Sequence, residues 1–183
     1  MKGIAVALLL LLVLVASGFA QVPDDKLIVP GQRIGKWTLD MTLSALVEMN
    51  GRPNVTPGTP GTPVDPMRGG FNDSRDDIWG HWWANIQFSA ATRGRDAQRV
   101  EYVFTWSSAF KTDKNIAPGA TRQVVEGAYG QPTAVVPQVR GGIPGQQRLV
   151  YDDIGLAATI DRSGMVDSLF VFRPKTARTL WNF

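Results

Sequence analysis

Asp40-Met-Thr-Leu-Ser-Ala-Leu-Val-Glu-Met-Asn-Gly-Arg-Pro53 is echoed, without a gap, by Gly119-Ala-Thr-Arg-Gln-Val-Val-Glu-Gly-Ala-Tyr-Gly-Gln-Pro132. Thr42 and Thr121, Gly51 and Gly130, and Pro53 and Pro132 all stand 79 positions apart. Each copy predicts one short helix with both ends marked. The threonine hydroxyls can accept from the free N–H groups of the first turn. The glycines sit where a helix stops in a left-handed residue, and the prolines two positions later prevent continuation. Between the marks, Leu43, Leu46, Val47 and Asn50 share one face, as do Val124, Val125, Ala128 and Tyr129. Two helical turns do not stand alone in water, so each helix must lie on something larger. No strand leads into either copy through a glycine loop, so these glycines do not read as a phosphate cradle.

The segments after the two helices also repeat, more loosely. An Arg-Gly-Gly loop (Arg68 to Gly70, Arg140 to Gly142) leads to Asp76-Asp77-Ile78 in one half and Asp152-Asp153-Ile154 in the other. Then come Trp82 to Phe88 against Leu156 to Ile160, and Val100 to Trp106 against Val166 to Phe172, with the period-two alternation of strands. Val100, Tyr102, Phe104 and Trp106 are expected on one face, and Val166, Ser168, Phe170 and Phe172 together on its counterpart. Asp161-Arg-Ser-Gly164 makes a compact hairpin loop, and a longer one lies around Arg93-Gly-Arg-Asp96. The expected class is α+β: two tandem modules, each a short capped helix packed on an antiparallel meander, their strands in two sheets or one continuous sheet. The first module takes residues 27–110 and the second 111–173, leaving 174–183 as a C-terminal tail. Within the first, residues 53–70 hold five prolines, which exclude helix and central strand and predict an extended loop.

Composition bounds the remainder. Lys2, the aliphatic run from Gly3 to Val15 and the small-residue stretch Gly18-Phe-Ala20 form a secretory signal peptide, residues 1–20. The apolar run is short for a membrane span of about 20 residues. The chain is therefore expected to be exported, periplasmic or secreted, with no stable membrane insertion after cleavage. It has no cysteine, which removes disulfides, thiol catalysis, cysteine metal sites and a lipidated N-terminal cysteine together. Its net charge of +3 falls by one with Lys2, and the arginines are scattered. Nucleic-acid binding lacks its electrostatic footprint.

Paired copies of the Gly/Asp-x-Thr-to-Gly-x-Pro helix, each followed by a meander in an exported chain, resemble the β-lactamase-inhibitory-protein-like fold. The single copies resemble the SmpA/OmlA outer-membrane lipoprotein domain, most of all where Phe110-Lys-Thr-Asp-Lys-Asn-Ile-Ala-Pro-Gly119 leads into the second helix. The resemblance covers most of residues 27 to 172. It implies helices on one side of an antiparallel sheet and an envelope or extracellular protein that binds other proteins. The chain departs from the lipoproteins in lacking their lipidated cysteine, and from the secreted inhibitors in lacking paired cysteines.

The sheet face opposite the helices, or the long loops such as the proline-rich one at 53–70, is the expected partner-binding surface. Reading Gly80-His-Trp-Trp-Ala-Asn-Ile-Gln-Phe88 as one strand puts Trp82, Ala84, Ile86 and Phe88 toward the helix. His81, Trp83, Asn85 and Gln87 then point away, with Trp83 either a recognition anchor or covered by the proline-rich loop or the other module. A one-residue bulge would exchange the two sets. His81 is the only histidine, so a multi-histidine metal site is impossible and no Ser-His-Asp arrangement has its context. Adjacent aspartates on a strand face opposite sides, so the Asp-Asp-Ile copies suit turns better than an acid/base dyad. Neither an enzyme nor a cofactor is expected. A second reading is a small outer-membrane barrel closing on Arg178-Thr-Leu-Trp-Asn-Phe183, though capped helices have no place in one. A third is a module that binds cell-wall polysaccharide through exposed aromatics.

Overall fold

The computed structural model describes residues 25–53, 78–93, 98–137 and 145–181. The signal peptide, most of the proline-rich loop, both Arg-Gly-Gly loops, Asp76, Asp77 and Phe183 lie outside the described residues. Three short strands come first, β1 (Leu27–Val29), β2 (Arg33–Ile34) and β3 (Trp37–Thr38), followed by helix α1 (Leu43–Asn50). Strands β4 (Ile78–Trp83), β5 (Phe88–Arg93), β6 (Val100–Thr105) and β7 (Lys111–Thr112) lead to helix α2 (Arg122–Tyr129). The chain continues through β8 (Ala134–Pro137), β9 (Gln147–Tyr151), β10 (Leu156–Ile160) and β11 (Val166–Phe172) to helix α3 (Ala177–Trp181).

The fold is α+β, as expected. Seven strands form one antiparallel sheet in the order β4-β5-β6-β11-β10-β9-β8. The strands left over, β3-β2-β1-β7, make a second, small sheet in which β1 runs parallel to β7. At the middle of the large sheet β6 meets β11, Phe104 opposite Phe170 and Val103 opposite Val171.

The threonine caps are built as the sequence predicts, and the glycines do end the helices, but with extended ψ rather than in the expected left-handed conformation. Ala45 N donates to the Thr42 hydroxyl at 3.2 Å, and Val124 N to that of Thr121 at 3.3 Å. Gly51 (φ 77°, ψ −177°) and Gly130 (φ 79°, ψ −162°) end the helices in a region that essentially only glycine enters. Each helix start is tied to the sheet in the same way. Leu43 N donates to the Gln98 carbonyl at 2.8 Å and Arg122 N to the Gly164 carbonyl at 2.9 Å. Thr42 bridges Arg99 just before β6, and Thr121 bridges Met165 just before β11. Leu46 and Val125 bury fully beneath their helices. Val124 departs from expectation: it is 52% exposed, because its position in α2 turns it off the sheet while Val125, Ala128 and Tyr129 face inward.

The sheet is covered on both faces, where one open face was expected. On the helix face Trp83, Phe88, Ala90, Val103, Leu149, Leu169 and Val171 join Ile28, Ile34, Trp37 and Leu46 in one core. The Trp37 ring stacks on Phe88 with centroids 4.0 Å apart, and its indole donates to Asn50 Oδ1 at 3.1 Å. On the other face Trp82, Ala91, Tyr102, Phe104, Val150, Phe170 and Phe172 form a second core with Leu180 and Trp181 of α3. The supposed C-terminal tail is thus part of the packing. Asp152 Oδ1 accepts from Ala177 N at 2.9 Å and fixes the start of α3.

Two register shifts move Val100 and Val166 away from their expected companions. Ala91 pairs with Tyr102 but Thr92 with Val100, passing over Glu101. Thr159 pairs with Ser168 but Ile160 with Val166, passing over Asp167. A bulge of one residue reverses the facing of everything beyond it. Val100 and Val166 therefore join the helix-side core, while Tyr102, Phe104, Phe170 and Phe172 face the other way.

Candidate functional site

The segment from Gly80 to Phe88 is not one strand. Trp83 pairs with Phe88, so Ala84 to Gln87 form a four-residue hairpin loop, a single 3₁₀ turn closed by Gln87 in the left-handed region (φ 52°, ψ 45°). Thr105 Oγ1 donates to the Gln87 carbonyl at 2.7 Å, which holds that conformation without a glycine. The reversal changes which side chains face out, and the four expected site residues separate into two pairs. Asn85 and Gln87 are exposed at the loop. His81 and Trp83 lie on the helix side and are buried, 4% and 1% exposed.

Trp83 is not a surface anchor. Its indole N–H donates to the Gly51 carbonyl at 2.8 Å, so the residue that stops α1 is also tied to β4. Trp82, expected under the helices, is on the opposite face. His81 has its Nε2 3.2 Å from Thr92 Oγ1, and burial pushes its pKa below the ordinary imidazole value of 6.5. The unfolded chain then takes up a proton as pH falls through 6.5, while folded His81 stays neutral. Stability is expected to fall with pH from 6.5 down to the depressed folded value. Urea unfolding at pH 7.5 and 5.5 measures this. Because no other histidine exists, His81→Gln is expected to show a smaller acid loss than wild type; an equal loss would assign it to other groups.

With both sheet faces covered, exposed recognition surface lies at edges and loops. Strand β8 ends the sheet and, among the described residues, pairs only with β9. Its residues alternate half-buried and exposed, with Ala134 and Val136 against the second core and Val135 42% exposed. It carries no charge. Natural edge strands are usually blunted by lysines, bulges or prolines, and here only Pro137 serves. The sequence does not single out β8, because four residues give too little alternation to register. Among the described residues no group of three metal-ligating side chains gathers, and no helix is long and apolar enough to cross a membrane.

These features define a mixed α+β protein with a seven-stranded antiparallel sheet whose terminal strand β8 is paired on one side only among the described residues. No protein family matches the chain, and no curated protein does. Among solved structures it is similar to a DUF4309 family protein, YjgB, from Bacillus subtilis subsp. subtilis str. 168. The two share 13% identity with a TM-score of 0.48, over 78% of this chain and 88% of that one.

Proposed function

We propose that this chain is an exported, non-catalytic binding protein of the cell envelope or extracellular space. In this reading it is built from two tandem copies of a capped helix and a meander, in the manner of the β-lactamase-inhibitory-protein-like fold. The copies meet at β6 and β11, and the sheet edge at β8 engages another protein. The observation that carries the binding proposal is the β8 edge, unpaired on its outer side among the described residues, with Val135 42% exposed. An unpaired strand edge offers a row of backbone donors and acceptors to an incoming extended segment, and alternate side chains supply specificity. The duplicated caps, bridges and bulges support the two-copy reading. An open sheet layered on both faces favours this reading over a membrane barrel, whose outer face meets lipid. Among the side chains described, no aromatic is among the exposed large apolar residues, which favours protein over polysaccharide.

The test is a comparison of wild type and Val135→Lys, each recovered from the exported fraction as a chain beginning at Gln21. Lysine on the edge is expected to remove the co-purifying partner while shifting stability by no more than about 0.5 kcal/mol, as for other surface changes. An unchanged partner set with the variant sinks the edge proposal. Recovery of a chain that still starts at Met1 sinks export by a cleaved signal.

A further inference from the structure

Asn50-Gly51 is the one place in the sequence where an asparagine precedes glycine. The other asparagines precede Val55, Asp73, Ile86, Ile116 and Phe183. The pairing matters because asparagine is a thermally labile side chain, and its neighbour sets the rate. The backbone nitrogen of the next residue can attack the side-chain amide carbon, and glycine alone has no Cβ to hinder the approach. In this fold the two reacting groups are treated differently. The Asn50 amide is held at both ends: Oδ1 accepts from the Trp37 indole at 3.1 Å, and Nδ2 donates to the Leu46 carbonyl at 2.9 Å. Asn50 is also the last residue of α1, and a helical ψ near about −42° keeps the following nitrogen away from the side-chain carbon. The Gly51 nitrogen is unguarded. Gly51 is exposed, nothing lies within 4 Å of where a Cβ would sit, and its N–H has no backbone acceptor among the described residues. The tie from Trp83 falls on the Gly51 carbonyl and leaves this nitrogen alone. In the second copy Gly130 N donates to the Glu126 carbonyl at 2.8 Å, and Tyr129 takes the place of the asparagine.

We propose that Asn50 is a deamidation site whose rate is set by opening of the last turn of α1, with Trp37 the positioning residue that holds it shut. Once that turn unwinds, Gly51 N gives up its proton and attacks Cγ of Asn50. The new N–Cγ bond forms as the Cγ–Nδ2 bond breaks, and Nδ2 leaves with that proton as ammonia. A succinimide ring remains, which a solvent water opens to aspartate or isoaspartate. No oxidant or reductant is consumed. The product does not remake the hold. A carboxylate has no N–H for the Leu46 carbonyl, and its charge falls at the helix end where the carbonyls already concentrate negative charge. Isoaspartate also inserts a methylene into the main chain. Each opening that reacts therefore leaves α1 without its end, beside the core that holds Trp37 and Leu46. The site is separate from the β8 edge and stands or falls independently of it.

Peptide mass spectrometry of the purified chain, incubated at mildly alkaline pH, reads the reaction as a one-dalton gain at Asn50. The folded wild type is expected to deamidate at least about a hundredfold more slowly than the same chain in urea, since it reacts only through local opening. Trp37→Phe keeps an aromatic ring and removes the indole donor. It is expected to deamidate about tenfold faster than folded wild type, the factor that one lost hydrogen bond supplies. Gly164→Ala, remote from α1 and strained in its own hairpin, is expected to leave the folded rate unchanged. A folded wild type that reacts as fast as the chain in urea overturns the proposal with no variant needed, as does a chain that gains nothing at Asn50 in urea. So does a Trp37→Phe rate equal to that of wild type, or a Gly164→Ala rate raised as far as that of Trp37→Phe, which would place the opening in the whole fold.

Discussion

Gly155→Ala is expected to destabilise the protein by about 2–5 kcal/mol, or to prevent folding, because two costs coincide at one position. Gly155 closes the turn between β9 and β10 with φ at +69°. A methyl group there would lie 2.1 Å from the Phe172 carbonyl oxygen and 2.8 Å from Gly31 Cα. Both obstacles are backbone, so neither can rotate aside. The same glycine accepts from Gly31 N at 3.2 Å and from Phe172 N at 3.0 Å, joining the N-terminal strands to the end of β11. Displacing it disturbs two sheets at once. Gly164→Ala is the control. Its φ is +82° but nothing lies within 4 Å of a new methyl, so only the conformational cost of about 1–2 kcal/mol is expected. Urea unfolding of both variants checks the contrast, and equal losses would show that close approach at Gly155 does not matter.

Trp83→Ala is expected to cost about 3–5 kcal/mol, the range for removing a large aromatic from a packed core. The ring contacts Phe88 with centroids 5.7 Å apart and lies in the same core as Trp37 and Leu46. Its loss would also strip the Gly51 carbonyl of its indole donor. Trp83→Phe separates the two effects, since it keeps most of the ring volume and removes only the N–H. A loss of about 1–2 kcal/mol is expected for that variant. A Trp83→Ala protein as stable as wild type would mean that this side chain is at the surface after all.

Trp83 also marks the boundary between what local sequence dictates and what tertiary contacts decide. The caps are legible because Thr42, Thr121, Gly51 and Gly130 each answer a local demand of helix ends, which neighbours do not alter. The strands after them are legible as alternation in β6 and β11. The side chains' facing is not, because a single bulged residue at Glu101 or Asp167 leaves no mark in composition yet reverses the strand beyond it. The hairpin at Ala84 to Gln87 escapes a sequence reading for a related reason. It contains neither glycine nor proline, and Gln87 is held at positive φ by a tertiary hydrogen bond from Thr105.

The second core does leave a signal in the sequence. Tyr102-Val103-Phe104 and Leu169-Phe170-Val171-Phe172 are unbroken apolar runs, as suits strands buried on both faces. The cover on the second face comes partly from α3, whose apolar content is too short to announce itself. The strands of the small sheet, two or three residues each, fall below what any periodicity can reveal. Arg173, which donates to the Val100 carbonyl at 2.7 Å and the Leu39 carbonyl at 2.5 Å, joins the N-terminal strands to the large sheet across 134 positions of sequence. Only the folded chain displays that clamp.

The central claim is that the β8 edge receives a partner's strand, and amide hydrogen exchange of the partner-bound protein tests it most directly. Strand addition is expected to slow exchange across residues 134–136, the outer edge of the sheet, while β10 and β11 change little. Slowing confined to the Ala84–Gln87 loop or another surface, with β8 unchanged, would contradict it.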